Sequence, residues 1–162
     1  MMGASEREQR RRRPAPGGTL ESRSAADTEE IGARIASELS PGDVVLVSGE
    51  LGAGKTTLIR GACRTLGVEG PVRSPTFTIG SRYRGRVPVS HLDLYRLEDL
   101  EEEVPGLLDD YLAPDAITFV EWPNAAGAGM ERVAVRVDIA HRGGDARLIE
   151  VADGLPASEE AG

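Results

Sequence analysis

Lysine is almost absent from this sequence. Of its 19 basic residues one is a lysine, Lys55, and the rest are arginines. That excludes the guanine-reading [NT]-K-x-D motif, which needs a lysine of its own. Cysteine is equally scarce: Cys63 stands alone, so no internal disulfide can form. Aromatic residues make up 4% of the chain against 40% hydrophobic residues, so a core must be built from aliphatic side chains. No apolar run approaches the length of a membrane span, and the N-terminal "MMGASEREQRRRRPAPGG" has basic residues but no apolar stretch behind them, unlike a secretory signal. The expectation is a cytoplasmic protein.

With 162 residues the chain is sized for one domain. Residues 1–18 carry five Arg and two Glu, a net +3, and leave −11 on the rest. An acidic body is a poor electrostatic partner for nucleic acid. The Arg10–Arg13 run could touch RNA, but a polar arm flanked by proline and glycine reads first as a disordered tail. The expected division is a disordered basic arm over 1–18, a folded domain over 19–153 and a disordered tail over 154–162.

What is present is a phosphate grip. "GELGAGKTT", Gly49 to Thr57, fits G-x-x-x-x-G-K-[ST] at Gly49, Gly54, Lys55 and Thr56. In such a loop the segment Gly49, Glu50, Leu51, Gly52, Ala53, Gly54 turns tightly and aims backbone N–H groups into one anion-sized hollow. Lys55 adds a mobile positive charge, and the Thr56 hydroxyl is a ligand for Mg2+. The helix after the loop points the positive end of its dipole at the same place. A glycine-rich chain can match by chance, but the flanks argue otherwise. Asp43–Ser48, "DVVLVS", reads as a buried parallel strand. Leu58, Ile59, Ala62, Cys63 and Leu66 then fall at helical spacing, and Gly67 sits where a helix C-cap belongs. That placement makes Cys63 a core residue. An arginine fits a phosphate hollow poorly, which explains why lysine persists here alone. With the guanine motif excluded, ATP is the expected nucleotide.

Elsewhere, "DTEEIGARIASELSPGD" reads as a helix started by a capping box of Asp27 and Glu30 and stopped at Pro41-Gly42, with Ile31, Ile35 and Leu39 on one face. Ser74–Tyr83, Val87–Asp93 and Ala116–Glu121 read as strands, and Leu97–Leu112 as an acidic helical region broken at Pro105-Gly106. "RVAVRVDI" and "ARLIEV" form a hairpin across "AHRGGD". The sum is α/β: a single P-loop NTPase domain with a mainly parallel sheet, flanking helices and a C-terminal antiparallel hairpin.

Hydrolysis needs a second handle on the metal and a group that places water. In open α/β sheets such groups end strands. Asp93 and Glu121 do so here. An acid at a strand end is often only a solvated cap, but two of them beside a P-loop favour the chemical reading. Trp122 can wall the site or half-fill the core. His91 reads as a core or structural histidine, and His141 as a surface residue in the hairpin.

Taken in order, "GELGAGKTT", "RSPTFT", "HLDLYRL" and "VEWP" resemble the TsaE (YjeE) family of small P-loop ATPases of tRNA threonylcarbamoyladenosine synthesis, over about residues 24–152. The resemblance implies a Mg2+-dependent, slow ATPase that works with the two subunits of the tRNA threonylcarbamoyl transferase, of TsaD and TsaB type, and meets tRNA only through them. It implies that Lys55 grips phosphates, that Thr56 and Glu121 hold Mg2+, that Asp93 supports hydrolysis, that Thr57 lines the nucleotide and that Trp122 stands beside the metal acid. It further implies that Ser74–Phe77 is a switch-like loop in which Thr76 senses the terminal phosphate. Glu50 replaces the family's usual aspartate, the segment after Trp122 is short, and the basic arm has no counterpart. The alternatives are a P-loop small-molecule kinase, for which no acceptor pocket is legible, and a nucleotide-dependent binding module, against which Asp93 and Glu121 argue.

Overall fold

The computed structural model describes residues 18–50, 52–73, 80–94, 112–122 and 133–153. Residues 1–17 of the expected arm, the expected tail over 154–162, the Ser74–Phe77 loop and residues 97–111 of the acidic helical region lie outside the described residues.

Seven strands form one sheet: β1 (Gly18–Ser22), β2 (Val44–Gly49), β3 (Gly80–Arg84), β4 (Pro88–Asp93), β5 (Ile117–Trp122), β6 (Val133–His141) and β7 (Arg147–Asp153). Their order is β1-β7-β6-β2-β5-β4-β3. The four central strands β6, β2, β5 and β4 run parallel, and β1–β7, β7–β6 and β3–β4 are antiparallel. The expected hairpin is β6–β7. The strand read as Ser74–Tyr83 is described from Gly80 onward, as an edge strand. β1 has no counterpart among the sequence expectations. It begins at Gly18, inside the segment read as an arm, and exists through its pairing with β7 rather than through its own pattern.

Helix α1 (Ala25–Ala36) starts earlier than the Asp27–Glu30 box suggests. Its N-cap is Ser24, whose hydroxyl accepts from the Asp27 N–H at 3.0 Å, while the Asp27 carboxylate accepts from the Arg23 N–H at 3.0 Å. Asp27 therefore serves three residues into the cap rather than as the cap. The helix also ends before Pro41: Ser37 donates to the Arg34 carbonyl at 2.7 Å, and successive tight turns follow to Leu39. Helix α2 (Lys55–Thr65) closes as the glycine suggests. Gly67 is left-handed with φ +87°, its N–H reaches the Arg64 carbonyl, and the Val68 N–H reaches that of Cys63.

Every strand residue of the main core cluster has the same alternation parity, so both helices cover one face of the sheet. Val45, Val47, Phe119 and Val137 meet Ile31, Ile35, Leu58, Ile59 and Ala62 there. The apolar stripe of α2 is buried as its spacing demands, with Cys63 fully enclosed and its thiol pushed up to about 12 by burial. That is a packed thiol and not a reactive one.

The helices touch through glycine. A Cβ on Gly61 would lie 2.0 Å from the Glu29 carbonyl oxygen, and one on Gly32 2.0 Å from that of Leu58. Both obstacles are backbone, so no rotamer change relieves them. Gly61→Ala is therefore expected to destabilise the fold by about 3 kcal/mol or more, at or above the usual overpacking range. In thermal unfolding that corresponds to a fall of roughly 10 °C, and a midpoint within about 2 °C of the parent would contradict this packing.

Candidate active site

The site is assembled by one local loop and two strand ends. β2 is a run of valine and leucine ending in Gly49, and the chain then turns through Gly52 and Gly54 into α2. Gly49, Gly52 and Gly54 all have positive φ, at +148°, +82° and +110°. A Cβ on Gly49 would also come within 2.5 Å of the Ile139 carbonyl oxygen, so this position is closed to any other residue. Around Gly52, by contrast, nothing lies within 4 Å of a built Cβ. The loop is thus pinned against β6 at its start and open at its crest.

The two helices begin differently. α1 is capped by a serine; α2 has Gly54 as its N-cap, and no side chain caps it. An uncapped helix start directed by a glycine loop is an anion site by construction. Lys55, the first residue of α2, is 5% exposed. Its Nζ donates to the Gly49 and Glu50 carbonyls at 2.8 and 3.0 Å, so the ammonium lies folded against the loop's own backbone. Burial lowers the Lys55 pKa from its ordinary value, and the charges of Glu121 and Asp93 act against that shift.

Those carboxylates arrive from the neighbouring parallel strands. Asp93, the last residue of β4, is in register with Glu121 of β5, which in turn is in register with Val47 of β2. Thr56 Oγ1 lies 3.4 Å from Glu121 Oε2 and 3.5 Å from Oε1. This is a loose pairing of a hydroxyl with a carboxylate, both hard oxygen donors. The donor set fits Mg2+, which takes one or two protein oxygens and keeps the rest for phosphate and water.

His91 fits the reading of a core or structural histidine and adds a contact to it. It is fully buried, as a core histidine would be, but its Nε2 lies 2.5 Å from Glu121 Oε2. Two residues before Asp93 on β4, it shares that residue's face and reaches diagonally across to β5. A donating Nε2–H leaves Nδ1 as a bare acceptor, and Nδ1 has no hydrogen-bond partner among the described residues. The sequence held a signal for this, the H-x-D alternation, but not the diagonal. A second contact carries no local signal at all. Arg147, 94 positions along the chain, donates through Nε to the Ala53 carbonyl at 2.8 Å.

Gly49, Glu50, Gly52, Ala53, Gly54, Lys55, Thr56 and Thr57 thus form one loop and helix start, which meets Asp93 and Glu121. Leu51 and the Trp122 side chain lie outside the description, though the Trp122 backbone ends β5 opposite Ser48. His141 is exposed in the hairpin, as expected. No helix among the described residues is long and apolar enough to cross a membrane.

Residues 22–149 match the family described as Threonylcarbamoyl adenosine biosynthesis protein TsaE. A tRNA threonylcarbamoyladenosine biosynthesis protein TsaE of Mycobacterium tuberculosis is 40% identical over 146 residues, which are 80% of this chain and 84% of that protein. One of the same name from Synechocystis is 45% identical over 107 residues, 59% of this chain and 64% of its own length. Among solved structures, that of Bacillus subtilis YdiB superposes with a TM-score of 0.64 at 31% identity, covering 84% of this chain and 85% of its own.

Proposed function

Because the chain belongs to the TsaE family, we propose that it is a Mg2+-dependent ATPase of the cytoplasm that supports threonylcarbamoylation of tRNA by acting on the threonylcarbamoyl transferase. The observation that carries the hydrolytic part is the convergence of Lys55, Thr56 and Glu121, with Asp93 in register beside them. A module that only bound nucleotide would need the loop and the lysine but not two carboxylates at adjoining strand ends.

In this reading the glycine loop and the start of α2 receive the phosphates, and Lys55 leaves its backbone carbonyls to pair with them. Thr56 and Glu121 hold Mg2+, which when bound neutralises charge on the outer phosphates. His91 fixes the Glu121 carboxylate from its buried side, as outer partners of metal ligands do. Asp93 is only partly buried at its strand end, where it can accept a hydrogen bond from the attacking water and aim it. Trp122 follows the metal acid in the chain. Transferase subunits of TsaD and TsaB type are the proposed partners, and tRNA is reached through them because the body of the chain is acidic.

The test follows the terminal phosphate. With labelled ATP, the label is expected as inorganic phosphate, dependent on Mg2+ and increased when the transferase subunits are present. Label transferred to a small metabolite would contradict this reading and favour a kinase.

A further inference from the structure

We propose that Arg147 is a positioning residue for the phosphate cradle, locking the Ala53–Gly54 peptide so that the Gly54 N–H faces into the hollow. This rests on the reading of the loop as a nucleotide site and adds to it a part contributed by the C-terminal hairpin.

A trans peptide is planar, with its C=O and N–H pointing in opposite directions. No peptide bond among the described residues is cis. Whatever holds the Ala53 carbonyl therefore also sets the direction of the Gly54 N–H. The carbonyl is held by Arg147 Nε at 2.8 Å. On its other side the Ala53 N–H is committed to the Glu50 carbonyl at 3.0 Å. No described residue accepts from the Gly54 N–H.

A lock is needed here because the loop is otherwise easy to flip. Gly52 and Gly54 both have positive φ and no Cβ to resist rotation of the intervening peptides. A reversed Ala53–Gly54 peptide would turn a carbonyl toward the phosphates and remove a donor from them.

Arg147 is itself held firmly enough to do this. Its Nη1 donates to the Gly144 and Ala146 carbonyls at 2.9 and 3.0 Å. Those carbonyls belong to a turn closed by Arg142 N–H to Ala146 and Ala146 N–H to Gly143. Gly143 and Gly144 have positive φ, so the turn has the shape that brings two carbonyls to one guanidinium. A fork of fixed geometry can span hairpin and loop together; a lysine would reach one of them at a time. The hairpin thus works as a strut for the phosphate loop, beyond its part in extending the sheet.

Loss of a donor from the cradle should weaken nucleotide binding and leave the hydrolytic groups in place. ADP affinity by calorimetry, with KM and kcat for ATP, gives the readout for Arg147→Ala, Arg147→Lys and Arg147→Gln, each checked for folding by thermal unfolding. Arg147→Ala is expected to weaken ADP binding and raise KM by about tenfold or more, the scale of one charged hydrogen bond, with kcat changed by no more than about twofold. Arg147→Lys should recover part of the affinity, because a single ammonium can still hold the Ala53 carbonyl. Unchanged ADP affinity in a folded Arg147→Ala protein, or a fall in kcat at unchanged KM, would overturn the proposal. Should the alanine variant not fold, the lysine and glutamine variants decide: parent-like affinity in both overturns it, and graded loss supports it. If the parent protein binds neither ADP nor ATP, it is the nucleotide reading that fails.

Discussion

Replacing Lys55 with alanine is expected to lower ATP turnover by about 100- to 1000-fold, the scale of losing a preorganised charge at the reacting phosphates. The reason lies in where the ammonium sits. It is almost wholly enclosed, carries two backbone hydrogen bonds, and is the one lysine of the chain. Burial pushes its pKa down, and Glu121 and Asp93 hold the charge in place against that pressure. The same geometry makes Lys55→Arg nearly as damaging. A guanidinium is planar, larger and carries five N–H donors, whereas the hollow under Gly49 and Glu50 presents two carbonyls to a compact point charge. Steady-state turnover of the arginine variant close to that of the parent would show that the lysine was retained for another reason.

Glu121 and Asp93 are expected to separate metal binding from chemistry. Either alanine variant should lose turnover by roughly two to three orders of magnitude. Glu121→Ala removes the partner of Thr56 and His91 together, so the Mg2+ dependence of the residual activity should weaken. It also removes the carboxylate that acts more strongly on Lys55 than Asp93 does, so the lysine loses stabilisation of its charged form. Asp93→Ala leaves the Thr56–Glu121 pair standing. ATP binding there should stay within about tenfold of the parent, a cost of roughly 1.4 kcal/mol. Calorimetric titration with a non-hydrolysed ATP analogue measures this directly. Complete loss of binding in Asp93→Ala would make that residue structural and leave the water unassigned.

The parts of this site legible in sequence are those whose geometry is local. The loop from Gly49 to Thr57 needs glycines, a lysine and a threonine at fixed spacing, and the α2 stripe from Leu58 to Leu66 is set by the helix repeat. Among the described residues, the glycine turns, the helix start at Lys55 and the apolar stripe appear where they were expected. Asp93 and Glu121 were legible because apolar strands ended on them, and parallel pairing of β4 with β5 then brings them into register. What escaped was made by contacts distant in sequence. β1 exists because β7 offers it an edge. The start of α1 was read three residues late because Asp27, three positions into the cap, resembles a cap. Gly32 and Gly61 look like weak points in helices until the two helices cross on them. The His91–Glu121 diagonal and the Arg147–Ala53 bond join positions that only the folded sheet brings together.

The central claim is that hydrolysis at this P-loop supports tRNA threonylcarbamoylation. Mass spectrometry of tRNA nucleosides from cells depleted of the protein tests it most directly, with complementation by the parent chain, Lys55→Ala or Glu121→Ala at matched protein levels. Depletion is expected to lower threonylcarbamoyladenosine, the parent chain to restore it, and neither variant to do so. Restoration by both variants would contradict the account, because it would separate the modification from the nucleotide site.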